Sequence, residues 1–233
     1  MRLDKFLTVT GTATRSEAAK AVRIGRVLVN GIPVKSSSHA VDPERDEVEY
    51  FGERVEYRKY TYIMLNKPEG YVSATEDGRD KTVLELLPEK LQKFNLFPCG
   101  RLDKYTVGLM LLTDNGPLGH RLLAPKSHVS KTYYFETKKS LSAEDIKALE
   151  EGVHIAGGYL TKPAKVTLLS ERSGNITITE GKYHQIKQML EAVDNNITML
   201  ERVAFGPLAL DGSLARGEWR FLTQEEIDML EKL

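Results

Sequence analysis

One stretch, Phe97 to Gly116, constrains this chain more than any other. Within it Asp103 stands between a Gly100-Arg101-Leu102 lead-in and a Thr106-Val107-Gly108 turn, and the chain then runs into the apolar strand Leu109-Met110-Leu111-Leu112. A loop at the mouth of a rigid strand can offer a side chain to a ligand while the core holds its backbone still. That arrangement suits a reactive carboxylate. On the local residues alone the better reading of Asp103 is an ordinary turn or cap aspartate.

The flanking sequence supplies the rest of the architecture. Leu3, Phe6 and Leu7 fall at helical spacing and predict a first helix. Thr14-Arg15-Ser16-Glu17 is a capping box that opens a second, with Ala18, Ala19 and Val22 as its buried stripe and Gly25 as its left-handed stop. Two alternating segments around Asn30-Gly31 then predict a hairpin. Residues 51–59 are charged with little apolar patterning and read as a linker, dividing a small α/β domain over 1–58 from a larger one over 59–233.

In the larger domain, residues 60–68 are β-rich and end at Pro68, which cannot donate to a ladder. A capping box at Thr82-Glu85 starts a brief helix stopped near Pro88, and residues 117–123 read as another helix. The strand that follows contains Tyr133 and Tyr134, and alternation sends one of them to the core and the other away from it. Ser142 caps a helix running to about Glu151. Strands over 165–169 and 175–179 hairpin through a turn at Ser173-Gly174-Asn175 and lead to a helix with Ile186, Met189, Leu190 and Val193 facing inward and Lys187 near its first turn. A third capping box, Thr223-Glu226, opens the last helix. The expected fold class is α+β, with a mixed, mostly antiparallel sheet.

Composition excludes several classes. At 41% hydrophobic and 28% charged residues the chain has the make-up of a soluble globular protein. No apolar run reaches the length of a membrane span and the start lacks a signal-peptide core, so no membrane partner and a cytoplasmic location are expected. Cys99 is the only cysteine, there is no Cys/His cluster at zinc spacing, and neither a dinucleotide turn nor a phosphate-binding loop occurs. Neither a metal nor a cofactor is therefore expected. The formal charge is zero, 33 basic against 33 acidic residues, but residues 1–35 carry an excess of bases and residues 36–58 an excess of acids. A basic face of this kind can bind phosphate on a neutral protein.

Taken whole, Gly-Arg-Leu-Asp-x-x-Thr-x-Gly-Leu-x-Leu-Leu-Thr-x-x-Gly resembles the signature of the pseudouridine synthases, most closely the branch containing the ribosomal small-subunit enzyme A. Asn66-Lys67-Pro68-x-Gly70-Tyr71, Lys131-Thr132-Tyr133 and Glu180-Gly181-Lys182-Tyr183-His184-Gln185-Ile186-Lys187 resemble that family's other motifs, in family order. The N-terminal helices and hairpin resemble the small RNA-binding domain named after ribosomal small-subunit protein four.

The resemblance implies that Asp103 is catalytic, that Lys187 pairs with it, and that Tyr133 packs against the target base. It gives Lys67 and Pro68 an architectural role only. Arg2, Lys5, Arg15, Lys20 and Arg23 would grip RNA backbone, and Arg101 would meet a phosphate or the flipped strand. At Gln188 many relatives carry arginine, so one basic contact is expected to be missing. The implied function is isomerisation of uridine to pseudouridine in ribosomal RNA by a monomer, in the small-subunit RNA ahead of the large. Two other classes stay open: a noncatalytic RNA-binding assembly protein, and a glycoside hydrolase using Asp103 with Asp114, for which the sequence specifies no separation between the two carboxylates.

Overall fold

A computed structural model describes all 233 residues. The chain forms two compact units, one of residues 1–60 with 88–94 and the other of residues 61–87 with 95–233.

In the first unit, helices α1 (Leu3–Val9) and α2 (Arg15–Arg23) pack on a four-stranded sheet of β1 (Val27–Val29), β2 (Ile32–Pro33), β3 (Val48–Tyr50) and β4 (Glu53–Val55). Its spatial order is β2-β1-β3-β4. Leu3, Phe6 and Leu7 from α1 meet Ala18, Ala21 and Val22 from α2 and Val27, Val29 and Val48 from the sheet. Each large apolar side chain so buried stabilises the unit by about 1.5–3 kcal/mol. The Thr14 hydroxyl accepts from the Glu17 amide and Glu17 accepts from the Thr14 amide, so the capping box forms as the sequence reads. Ala21 rather than Ala19 completes the buried stripe, because positions 18, 21 and 22 share one helical face at i, i+3 and i+4 while Ala19 lies half-buried beside it. Asn30 and Gly31 are both left-handed (φ 53° and 75°), as a two-residue hairpin requires.

The linker expectation is corrected. Phe51 and Gly52 are the left-handed pair of a second hairpin, Glu53–Val55 is an edge strand, and Tyr57 stacks on Phe6 at 5.7 Å. Charged residues dominate this stretch because only one face of an edge strand is covered. The short helix α3 (Glu89–Gln92) also belongs to this unit.

The second unit is built on a nine-stranded sheet. In chain order its elements are β5 (Tyr62–Lys67), β6 (Phe97–Cys99), β7 (Val107–Thr113), α4 (Gly116–Leu123), β8 (Lys131–Thr137), α5 (Ala143–Glu151), β9 (His154–Ile155), β10 (Tyr159–Leu160), β11 (Lys165–Ser170), β12 (Ser173–Ile178), α6 (Gln185–Ala192), β13 (Ile197–Phe205), β14 (Leu208–Ala209), β15 (Trp219–Phe221) and α7 (Gln224–Glu231). The main path is β11-β12-β8-β13-β7-β5-β15, with β6 on β7 and β14 on β13, while β9 and β10 pair separately. All pairings are antiparallel except β13 with β7. Every residue of β5 and β7 is buried, which is why Ile63–Leu65 and Leu109–Leu112 read as apolar runs without alternation.

β8 alternates as expected, and the alternation now has a direction: Tyr133 is buried and Tyr134 is half-buried on the other face. The turn between β11 and β12 lies at Glu171-Arg172, not at Ser173-Gly174-Asn175. Gly174 belongs to the strand because a Cβ there would stand 2.6 Å from the Thr167 carbonyl. Its glycine marks a close approach of backbones rather than a turn.

Candidate active site

Asp103 sits in the loop between β6 and β7, and that loop is held from several sides. The Ser73 hydroxyl donates to the Leu102 carbonyl (2.8 Å) and accepts from the Leu102 amide (2.9 Å), and the Thr106 amide closes a turn on the Asp103 carbonyl (3.0 Å). From below comes Lys67, fully buried at the end of β5, whose Nζ reaches the carbonyls of Thr106 (2.8 Å), Asp103 (3.1 Å), Pro68 (3.1 Å) and Lys104 (3.3 Å). Burial pushes its amine down to about 8 although Asp103 nearby acts in the other direction. This ammonium is the loop's anchor. Gly108 is required where β7 enters the sheet: its φ is +100°, and a Cβ would stand 2.3 Å from the Arg202 carbonyl on the parallel strand β13.

The loop delivers the Asp103 carboxylate to the start of α6. Lys187 Nζ lies 3.0 Å from Oδ2 and His184 Nε2 lies 3.3 Å from Oδ1, so each oxygen has its own nitrogen. His184 precedes the helix in a left-handed conformation (φ 48°) and makes no capping hydrogen bond. A histidine held there without a capping role is local strain retained at a site. Its ring stacks on Tyr183 at 3.9 Å, and Tyr183 is itself 72% exposed. The loop before α6 is tied by Glu180, which accepts from Tyr159 (2.7 Å), the Lys162 amide (2.9 Å) and Gln185 (2.7 Å). Burial opposes the Glu180 carboxylate, but these hydrogen bonds outweigh it and its pKa falls. Gln188, expected to leave a basic contact missing, accepts from the Ala156 amide and donates to the Tyr183 carbonyl. It fastens the loop that carries the aromatic.

These groups surround a cavity of about 550 Å³ whose wall includes Arg101, Asp103, Tyr133, His184, Lys187 and Arg202. The three residues expected to carry chemistry, Asp103, Tyr133 and Lys187, therefore meet in one place, and exposed Arg101 stands at its edge. Asp114 does not join them. It lies just past the far end of seven-residue β7, about 23 Å away at ~3.3 Å per residue, where it accepts from the Thr61 amide (2.6 Å). Two carboxylates so far apart cannot flank one glycosidic bond.

Two family profiles match the chain: RNA pseudouridylate synthase over residues 61–192 and the S4 domain over residues 1–48. The chain belongs to the RNA pseudouridylate synthase family. Among its relatives, an RNA pseudouridine synthase of Bacillus subtilis, YtzG, described as uncharacterized, is 50% identical over 99% of this chain and 98% of its own length. The ribosomal small subunit pseudouridine synthase A of Haemophilus influenzae is 41% identical over the full length of both chains, and that of Escherichia coli K12 is 39% identical over 97% of this chain and 98% of its own. A crystal structure of a pseudouridylate synthase superposes with a TM-score of 0.70 at 40% identity, covering 99% of each chain. The synthase is thus an isomerase that turns uridine into pseudouridine, with an S4 domain at its N-terminus.

In that S4 domain Lys5, Arg15, Lys20 and Arg23 are exposed and unpaired in salt bridges. Arg2 differs: its guanidinium forks onto Asp4 through bonds of 3.1 and 2.7 Å, which lower the Asp4 pKa. Lys67 keeps the architectural role expected of it, whereas His184 and Arg202 were missed from the sequence as parts of the site. His184 lies inside a family motif, and Arg202 has no signal beyond a cation in a strand that also carries Glu201.

Proposed function

We propose that the synthase modifies a uridine of ribosomal RNA, in the small-subunit RNA, in the cytoplasm and as a monomer. Asp103 is the reacting carboxylate, either adding to the ribose or taking a proton from it as uracil departs. Lys187 keeps the carboxylate oriented toward the sugar, Tyr133 stacks on the base, and Arg101 meets a phosphate of the displaced strand. A uridine inside an RNA helix is out of reach, so the target is flipped into the cavity. Residues 1–58, through Arg2, Lys5, Arg15, Lys20 and Arg23, supply salt-sensitive grip, and residues 59–233 perform the chemistry.

The observation that carries this reading is the hold on Asp103: one carboxylate, fixed oxygen by oxygen by Lys187 and His184, facing a cavity with Tyr133 on its wall. The small-subunit preference rests on the names of relatives about 40% identical over the whole chain. The test is to incubate the protein with unmodified small-subunit and large-subunit RNA and map pseudouridine by carbodiimide labelling and primer extension. One new stop in the small-subunit RNA is expected. A stop confined to large-subunit RNA would overturn the substrate, and no stop in either RNA or in assembly intermediates would overturn the reading itself.

A further inference from the structure

Beneath the Asp103 loop lies positive charge with nothing to balance it. Arg202 is 1% exposed, yet its guanidinium makes no ion pair: Nε donates to the Leu109 carbonyl (2.7 Å), Nη2 lies 3.7 Å from the Met110 sulfur, and Nη1 has no hydrogen-bond partner at all. Beside it, the Lys131 ammonium donates only to the Val129 carbonyl (2.9 Å). Both cations lie over the Phe205 ring, at 5.4 and 5.7 Å. Burial, with the charge of Arg202 behind it, lowers the Lys131 pKa. Both residues line the cavity. A buried cation left without an anion is costly unless the anion arrives with a ligand or during the reaction.

The register says where that anion would be. Arg202 is the direct cross-strand partner of Tyr133, so the two side chains share a face of the sheet. Both line the cavity, so a base stacked on Tyr133 enters the space that the guanidinium borders. The other anion an RNA brings is its phosphate, but phosphates stay with the chain at the cavity mouth, whereas Arg202 is on its floor.

Charge balance completes the argument. When the C1′–N1 bond breaks, its electron pair goes to N1 and leaves a uracil anion spread over O2 and O4. If Asp103 bonds to the sugar it becomes a neutral ester, and if it takes the ribose proton it becomes a neutral acid. Either way one negative charge leaves Asp103 and appears on the base. The charge returns when C5 joins C1′, the C5 proton is lost and N1 gains one.

Resting on the proposed reading, we infer that Arg202 and Lys131 form a fixed cationic floor that stabilises the departing uracil anion, as Lys187 and His184 serve the carboxylate before the bond breaks. Prepositioned charge in a buried site acts strongly because it needs no reorganisation.

The test has a binding arm and a rate arm, both with the full chain. 5-Nitrouracil, which is anionic at neutral pH, is compared with uracil, with inorganic phosphate as control. The wild-type protein is expected to bind the anionic base at least ten times more tightly than uracil, Arg202→Gln and Lys131→Met to lose that preference, and Arg202→Lys to keep part of it. On RNA, Arg202→Gln should lower kcat about 100-fold or more while the RNA Kd stays within about twofold. No anion preference in the wild-type protein would overturn the inference without any variant, as would phosphate binding that alone depends on Arg202, or an unchanged kcat in a folded Arg202→Gln. The two readings fail separately: turnover that needs Asp103 but is indifferent to Arg202 sinks only the cationic floor. Arg202-dependent preference for the anionic base without turnover of any RNA sinks only the assigned reaction.

Discussion

Replacing Lys67 by methionine should change both the pH dependence of stability and the rate. The amine falls from 10.5 to about 8 on folding, a drop of about 2.5 units that, at about 1.36 kcal/mol per unit, makes the folded ammonium about 3 kcal/mol costlier than the unfolded one. The folded pKa is the lower one, so between pH 8 and 10.5 the unfolded chain binds more protons and the unfolding free energy rises with pH. Below pH 8 the penalty is present in full. The difference in unfolding free energy between wild-type and Lys67→Met protein should therefore grow by about 3 kcal/mol from pH 7 to pH 11. At pH 7 the variant loses the hydrogen bonds to the carbonyls of Pro68, Asp103, Lys104 and Thr106, of which only the Thr106 bond is fully buried and leaves an unsatisfied acceptor at about 1–3 kcal/mol. Relief of the buried charge is of similar size and opposite sign, so net stability there should move by no more than about 2 kcal/mol. Turnover should fall on the order of 100-fold, because the carbonyls of residues 103, 104 and 106 lose their common anchor and an ångström of drift in a reacting group costs about that much. Urea unfolding followed by Trp219 suits the measurement, since this only tryptophan lies on β15, paired with β5. A difference that stays flat or shrinks between pH 7 and pH 11 would refute the depressed amine, and wild-type turnover in the variant would refute its hold on the loop.

Three further outcomes are expected. Gly108→Ala places a Cβ 2.3 Å from a backbone carbonyl at φ +100°, which should cost more than about 3 kcal/mol and lower the Tm by at least about 6 °C; a fall under 2 °C would contradict the close approach. Changing Arg15, Lys20 and Arg23 together to glutamine should weaken RNA binding and flatten the slope of log K against log salt by about 2, at roughly 0.7 to 0.9 per lost phosphate contact, and an unchanged slope would remove the helix face from the interface. Cys99 is buried, and burial pushes its thiol up to about 12. At pH 8 it should resist iodoacetamide in the native protein and react after unfolding, so rapid native labelling would contradict that burial.

Local chemistry made much of this fold legible. Thr14 and Thr223 each form the capping box their sequences promise, Ser142 caps the helix expected of it, and Asn30-Gly31 turns the hairpin its left-handed pair predicts. The misreadings share a cause. Gly174 looked like a turn because a glycine's need for space is set by a strand neighbour in the fold, and residues 51–59 looked like a linker because an edge strand alternates too weakly to be seen. Asp103, Tyr133 and Lys187, which line one cavity, were singled out through motifs, not through periodicity. Arg202 was hidden for a physical reason: a buried cation and a solvated one are the same letter, and only the packing around them tells them apart. His184 is of the same kind, a contact made by backbone strain rather than by spacing.

The central claim is that Asp103, held by Lys187 and His184, carries the isomerisation. Joining C1′ to C5 expels the hydrogen on C5, so the most direct measurement is tritium released from RNA labelled at uridine C5, with wild-type and Asp103→Asn protein side by side and RNA binding measured for both. The account predicts one equivalent of tritium per target site with the wild-type protein, none above background with Asp103→Asn, and the same RNA Kd within about twofold, because the substitution keeps the size of the side chain and removes its charge. Release by Asp103→Asn at the wild-type rate would contradict the account.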